Sequence, residues 1–491
     1  MNGYNRKPTY DLGLNYVWNQ FKLTLNHRHG KRVSPYSVGI TSMYDYDRYA
    51  KINGNRPGRS TASTFGVLQY ANTFHNTSVD ASFSVDYEHI SHYVVLGDVT
   101  TSPLTIQNEL YPDYVSDTVG VFYVTNWRNL TFGGEVRALQ KYQWGAMSGN
   151  FLLGLQYEHF HAFDNSFQMG DHFKHIGMTV SNEDSYTWYG MGDRLYFVQN
   201  GVEQNFSAYS QIKHYLFPRL ILNGGFRYDR KIRYDREKLN EFSPRLSLIY
   251  LPNDRWNVKL SYARSFVDAP FTSRTFSWHH LLPEEGLQPQ HLDSWQLSSN
   301  WRYEPWHLEY DANLFYTHVT DLVQVVENLF SNGGNLRMMG LEQSLTFQFP
   351  HLWIHGNLTY QHLLNQTDYT ANDTYVYSVP NFLMNWVAEQ DLSPWVKQLR
   401  LHAKCSTYSK QYFKYGWSVF HGPDDWCFGR DLVRMPAYAL VDVGLRYSWH
   451  WFDFQFDCKN LFDHTYRLGG SSVPILQPGR SWLGTVRFRI R

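Results

Sequence analysis

The chain has 491 residues, and its 44 Lys plus Arg are matched by 44 Asp plus Glu, so the formal net charge is zero. With that balance nothing suggests a basic nucleic-acid surface or an acidic tail, so nucleic-acid binding is a poor reading. No run approaches the roughly 18 apolar residues of a transmembrane helix, and the mean hydropathy of -0.48 would read as that of a soluble protein. A membrane β-barrel escapes that measure because only alternate residues meet lipid, while aromatics accumulate at the interfaces. The 37 Tyr, 32 Phe and 17 Trp fit such a wall.

At the N-terminus, Met1 is followed by Asn2-Gly3-Tyr4-Asn5-Arg6-Lys7, with neither the apolar run nor the cleavage site of a secretory signal. The sequence therefore reads as incomplete there, and Tyr10 to Trp18 reads as the second strand of a barrel whose first strand is missing. From that point period-two alternation dominates. Val79, Ala81, Phe83, Val85 and Tyr87 share one strand face, and Asp80, Ser82, Ser84, Asp86 and Glu88 share the other.

Short breaks predict tight periplasmic turns at Trp18-Asn19-Gln20, His75-Asn76, Trp127-Arg128-Asn129, Asp164-Asn165, Phe217-Pro218, Pro252-Asn253-Asp254, Glu304-Pro305, Phe349-Pro350, Ser393-Pro394 and Ser448-Trp449. Longer polar, Gly-rich and His-rich segments between them read as extracellular loops. About ten turns and a closing strand give about 21 strands, against the about 22 of a large plugged outer-membrane barrel. Near the C-terminus Phe452, Phe454, Phe456 and Cys458 oppose Asp453, Gln455, Asp457 and Lys459, and Val486, Phe488 and Ile490 oppose Arg487, Arg489 and Arg491. Charge falls on one face only, as lipid contact on the other requires. The expected fold is all-β, a transmembrane antiparallel β-barrel with short turns on one side and long loops on the other.

No HExxH, GxSxG, Walker loop or GxGxxG occurs, so no enzyme is expected and no resident cofactor is implied. Cys405, Cys427 and Cys458 form neither CxxC nor a zinc spacing, and the sequence leaves a pairing of Cys405 with Cys427 open.

From about Phe206 onward the sequence resembles the barrel of TonB-dependent receptors. Leu220 to Asp229 carries a Gly-Gly-x-Arg-Tyr-Asp stretch, and Phe242-Ser243-Pro244-Arg245-Leu246 is similar to the family's next hairpin. Ala269-Pro270 follows Asp268 where the family usually has Arg, and Leu287-Gln288-Pro289-Gln290 has Gln where it has Glu. Met339-Gly340-Leu341-Glu342, Asn460-Leu461-Phe462-Asp463 and Pro478-Gly479-Arg480-Ser481-Trp482 resemble later family hairpins. Residues 1–491 then form one barrel domain, and no stretch resembles the plug domain or its TonB-contacting box.

The resemblance implies a location in the outer membrane of a Gram-negative bacterium, in contact with its lipid. It also implies energised uptake of a scarce nutrient, such as an iron-siderophore or haem, coupled to TonB-ExbB-ExbD through a plug. A passive pore, a binding barrel and a non-functional remnant remain open as alternatives. Candidate ligand contacts in the expected loops are His159, His161, His172, His175, His279 and His280, since neutral imidazole ligates iron. Arg274 and Trp278 flank the last pair and could hold an anionic, aromatic ligand. His279 and His280 lie where haem-transporting relatives carry a ligating histidine. Solvated loop histidines, and an interface role for Trp278, are the competing readings.

Overall fold

The computed structural model describes residues 9–32, 58–95, 121–145, 147–171, 179–180, 200–275, 282–283, 286–326, 329–367, 379–414, 432–469 and 474–488. Strands dominate. In chain order, β1 (Tyr10–Trp18), β2 (Phe21–Arg32), β3 (Gly58–Phe74), β4 (Thr77–Val95), β5 (Val121–Trp144) and β6 (Met147–Ala162) come first. Two short pieces follow, β7 (Ser166–Asp171) and β8 (Thr179–Val180), then β9 (Gly201–Phe217), β10 (Leu220–Ile232), β11 (Lys238–Asn253) and β12 (Trp256–Val267).

A five-residue helix, α1 (Phe271–Thr275), and the short β13 (Leu282–Pro283) lead to β14 (Gln290–Tyr303), β15 (Leu308–Val326), β16 (Leu329–Gln348) and β17 (Leu352–Thr367). The last part holds β18 (Phe382–Asp391), β19 (Leu399–Tyr408), β20 (Gln411–Lys414), β21 (Leu432–Met435), β22 (Tyr438–Trp449), β23 (Phe452–Lys459), β24 (Arg467–Gly469), β25 (Pro474–Leu476) and β26 (Ser481–Phe488).

One sheet holds 22 of these strands, beside the number of about 21 expected from the turns. Three members, β7, β8 and β13, are short additions at the loop end, β13 pairing in parallel with β16. The remaining 19 form an antiparallel meander in which each strand pairs with its neighbour along the chain. Among the described residues no ladder joins β1 to β26, so these strands form its two edges, and both are exposed throughout. β20–β21 and β24–β25 are separate two-stranded ribbons.

Alternation sorts the two faces as expected. Phe83, Val136, Leu155, Leu246 and Val486 each expose at least half of their area on the outer side. On the inner side Asp80 approaches Arg137 at 3.5 Å, and Arg28 pairs with Asp11 at 2.8 Å. Inner charge and outer hydrocarbon are the arrangement a wall between lipid and water demands.

The tight turns use residues that tolerate positive φ, among them Asn19 (50°), His75 (54°), His307 (43°) and His450 (51°). Eight of the ten expected turns coincide with strand ends, and two are corrected. Trp127-Arg128-Asn129 lies inside β5, which runs 24 residues, and the turn that closes β5 on β6 is at Gly145, with φ 61°. Glycine takes that backbone conformation without steric cost.

Asp164-Asn165 lies past the opposite end of β6, where the backbone N–H of Arg128 donates to Asn165 at 2.9 Å and Arg128 pairs with Asp164 at 3.2 Å. The two polar breaks are thus partners at the loop end. There β5 changes neighbour from β6 to β7, and the side chains brace that bend.

Strands β4, β5, β15 and β16 have 19, 24, 19 and 20 residues. A membrane crossing needs only about 9–11. The excess rises past the membrane as a rim at the loop end, and Ala162, Leu239, Ala269 and Leu287, among the few buried apolar side chains, lie there. Cys405 and Cys458 are free thiols, and Cys427 lies outside the described residues.

Candidate functional site

The rim holds a buried cluster of charges drawn from four elements. Glu203 stands near the start of β9, Lys231 near the end of β10, Arg233 just beyond it, Asp268 just beyond β12, and Arg274 in α1. Lys231 Nζ lies 2.9 Å from Glu203 and 2.7 Å from Asp268. Arg233 donates to Asp268 at 2.5 Å and also pairs with Glu237. Arg274 lies 2.7 Å from Glu203 and 3.6 Å from Asp268, and its Nε donates to the Ala269 carbonyl at 2.9 Å.

Three cations thus face three carboxylates, so the cluster is neutral. Arg233, Arg274, Glu203 and Asp268 each expose less than a tenth of their side chains. Burial pushes the Asp268 carboxyl up, but Arg233, Lys231 and Arg274 outweigh it and hold it below the usual carboxylate range. Burial likewise lowers Arg233, and the carboxylates of Asp268 and Glu237 reverse that effect.

Aromatic rings frame the cluster. Phe271 meets Phe160 edge-on at 5.3 Å and Tyr234 at 5.5 Å, and the guanidinium of Arg274 lies 6.0 Å from the Tyr234 ring centre. Gly201 opens β9 beneath them, where a Cβ would stand 2.9 Å from Tyr234 and 3.1 Å from Phe271. The arrangement fastens β9, β10, β12 and α1 to one another and so fixes where the chain leaves α1. Asp268, which replaces the family's usual Arg, is balanced by cations from three other places.

Below the rim the inner wall carries a second polar layer. Arg227 forks onto Asp229 at 2.8 Å and 2.9 Å and also donates to Ser207 at 2.7 Å and Gln156 at 2.9 Å. Tyr209 crosses over Gly154 to donate to Glu135, two strands away. Beside them lies a cavity of about 590 Å3 lined by Tyr209, Arg227, Asn223, Arg245, Lys259 and Gln296 among others. No carboxylate lines it, and among the described residues the side chains of Arg245 and Lys259 have no hydrogen-bond or ion-pair partner. An anion entering from the rim would meet a positive wall.

Of the residues singled out in the sequence, Arg274 lies in this site, but it is committed to Glu203 and Asp268 rather than free. His159 and His161 are corrected: they belong to β6, not to a loop. Both point outward, where His159 stacks on Phe132 at 4.5 Å and His161 meets Phe163 at 5.2 Å. Their odd-numbered register places them with Leu153 and Leu155 on the outer face. His172, His175, Trp278, His279 and His280 lie outside the described residues.

The sequence reading missed Glu203, Lys231 and Arg233. The one local hint was Asp268 itself, an acid standing in place of the family's usual base. Among the described residues no group of three or more His, Cys, Asp or Glu side chains is arranged to hold a metal ion.

A long antiparallel wall, oily outside and charged inside, with a braced rim at its loop end, defines a large membrane-spanning receptor barrel. The chain belongs to the family described as TonB dependent receptor-like, beta-barrel, whose model matches residues 2–461.

Solved structures agree at the level of the fold. The siderophore receptor PiuA from Acinetobacter baumannii is 15% identical with a TM-score of 0.63, covering 97% of this chain and 73% of its own. The P. aeruginosa protein FpvA, solved bound to heterologous pyoverdines, is 14% identical with a TM-score of 0.62, covering 98% of this chain and 64% of its own. The ferric enterobactin receptor PfeA from Pseudomonas aeruginosa is 16% identical with a TM-score of 0.67, covering 97% and 69%. The chain thus spans less than two thirds of FpvA and about seven tenths of the other two. No curated protein matches the sequence.

Proposed function

We propose that residues 1–491 act as the barrel domain of an outer-membrane receptor for TonB-energised uptake of an anionic iron chelate, a siderophore or haem, in a Gram-negative bacterium. The observation that carries this reading is the positive inner cavity around the unpaired Arg245 and Lys259, placed below a rim that the buried charge cluster holds in shape. Structurally similar proteins include siderophore receptors. Cations on an inner wall also suit contact with a plug, through which TonB-ExbB-ExbD would act on the barrel. In this reading Trp278, His279, His280, His172 and His175 remain candidate ligand contacts.

The test is ligand binding by the protein from native outer membranes, read by quenching of tryptophan fluorescence with ferric enterobactin, a ferric hydroxamate and haemin. Saturable quenching by one of these, weakened at high salt, is the expected result. A large constant conductance in a planar bilayer, with no saturable quenching by any of the three, would replace the receptor with a passive pore.

A further inference from the structure

The outer wall carries a groove that neither ligand uptake nor the general character of a barrel accounts for. It has a volume of about 690 Å3 and runs across β2, β3, β4, β5, β6, β9 and β10. Its course follows the strand pairing: one row of partners runs from Phe21 through Tyr70, Ala81 and onward to Tyr228. The adjacent row ends in Arg230, opposite Phe206. At roughly 4.8 Å per strand the seven strands give a path of about 29 Å. Because such strands tilt by about 45°, that path climbs obliquely from the turn end, at Phe21, to the loop end, at Arg230.

The groove exists because small residues interrupt an otherwise bulky surface. Ala81, Gly134 and Ala208 form its floor, while Phe83, Tyr157 and Phe206 stand beside it. Its surface is almost wholly apolar until Arg230. On an outward face a cation is costly toward the membrane centre and tolerated near the interface. Arg230 is exposed, and among the described residues its side chain has no hydrogen-bond or ion-pair partner. Lys238, on β11, is likewise exposed and unpartnered. Arg230 pairs in register with Asn240 and Ile232 pairs with Lys238, so the two cations are diagonal neighbours on the same outer face, about 7–8 Å apart.

We infer that this groove is a specific site for a phosphorylated acyl lipid. An acyl chain lies along the floor of Ala81, Gly134 and Ala208, and Arg230 and Lys238 hold the phosphate at the leaflet boundary on the loop side. The charge argues for that occupant over a second copy of the barrel, which would bring no anion to this cation pair. The length and the apolar lining argue for an attached chain over a free anion.

The test is native mass spectrometry of the detergent-purified full chain, titrated with dioleoyl phosphatidic acid, dioleoylglycerol or inorganic phosphate. The expected result is one phosphatidic acid retained with at least tenfold preference over dioleoylglycerol, and no displacement by inorganic phosphate. The double variant Arg230→Gln/Lys238→Gln should abolish that preference. Gly134→Leu should reduce retention of phosphatidic acid at least tenfold. A Cβ at Gly134 would meet nothing nearer than the Ser82 carbonyl at 3.7 Å, so the backbone accepts it. Heat-modifiable gel migration confirms that each variant is folded, and the double variant reads the proposal if Gly134→Leu is not.

Equal retention of phosphatidic acid and dioleoylglycerol, or retention unchanged in the folded variants, overturns the site. Complete displacement by inorganic phosphate reduces it to a bare charge pair and also overturns it. A lipid-free dimer would assign the groove to a second copy, with the same consequence.

Discussion

Arg274 and Glu203 meet at 2.7 Å with 4% and 5% of their side chains exposed, although one belongs to a five-residue helix and the other to a strand far earlier in the chain. Two charges so deeply buried hold each other and, through Lys231 and Asp268, the rest of the cluster. Removing one member therefore leaves an uncompensated charge rather than a simple vacancy.

Replacing Arg274 by Gln is expected to destabilise the rim by about 3–5 kcal/mol, since a buried carboxylate loses its partner. Glu203→Gln should cost a comparable amount, and the double variant less than the sum of the two. Urea unfolding of the barrel in detergent, run as a double-mutant cycle, measures this coupling. Strict additivity would mean that the pair does not interact.

The cluster also sets a pH dependence. Asp268 titrates below its ordinary range in the folded protein, so its contribution is present above the unfolded value of about 3.9. It is lost as pH falls through the lower folded value. Proteolysis of the segment after α1 should accelerate below about pH 4 in the native chain. In Asp268→Asn that segment should be cut at a rate nearly independent of pH across the same range.

Because His159 and His161 face outward from β6, their replacement by Phe should leave ligand affinity within about twofold, well under the 1.4 kcal/mol of a tenfold change. Replacement of His279 and His280 tests the loop reading in the same titration. A tenfold loss on changing His159 alone would return that residue to the binding site.

Tyr209 reaches Glu135 only because Gly154, on the strand between them, has no side chain to block the ring. Gly154→Val should displace the phenol and cost about 1–3 kcal/mol, as forced overpacking does. Tyr209→Phe removes only the hydrogen bond to a charged acceptor and should cost less than Gly154→Val, which loses that bond and overpacks the site as well. Thermal unfolding of the two variants orders them, and an equal loss in both would show that the glycine matters only through the hydroxyl.

Alternation along each strand, such as Val79 to Glu88, was legible without a structure because period two puts lipid and water on opposite sides of one strand. The turns at His75 and Pro218 were legible because their residues favour them locally. Trp127-Arg128-Asn129 and Asp164-Asn165 misled because polar residues punctuate a strand that rises past the membrane as readily as they end one. Nothing local distinguishes the two cases until Arg128 is seen against Asn165.

The sequence by itself determined the class of wall, its alternation and most of its turns, since these depend on neighbours two residues apart. Only the tertiary structure decided which charges are spent on one another. Glu203, Lys231, Arg233, Asp268 and Arg274 come from separate elements, and the energy that binds them falls off with distance in space, to which separation along the chain gives no guide. The outer groove has the same origin: Ala81, Gly134 and Ala208 are ordinary small residues until strand register sets them along one band across β4, β5, β6 and β9.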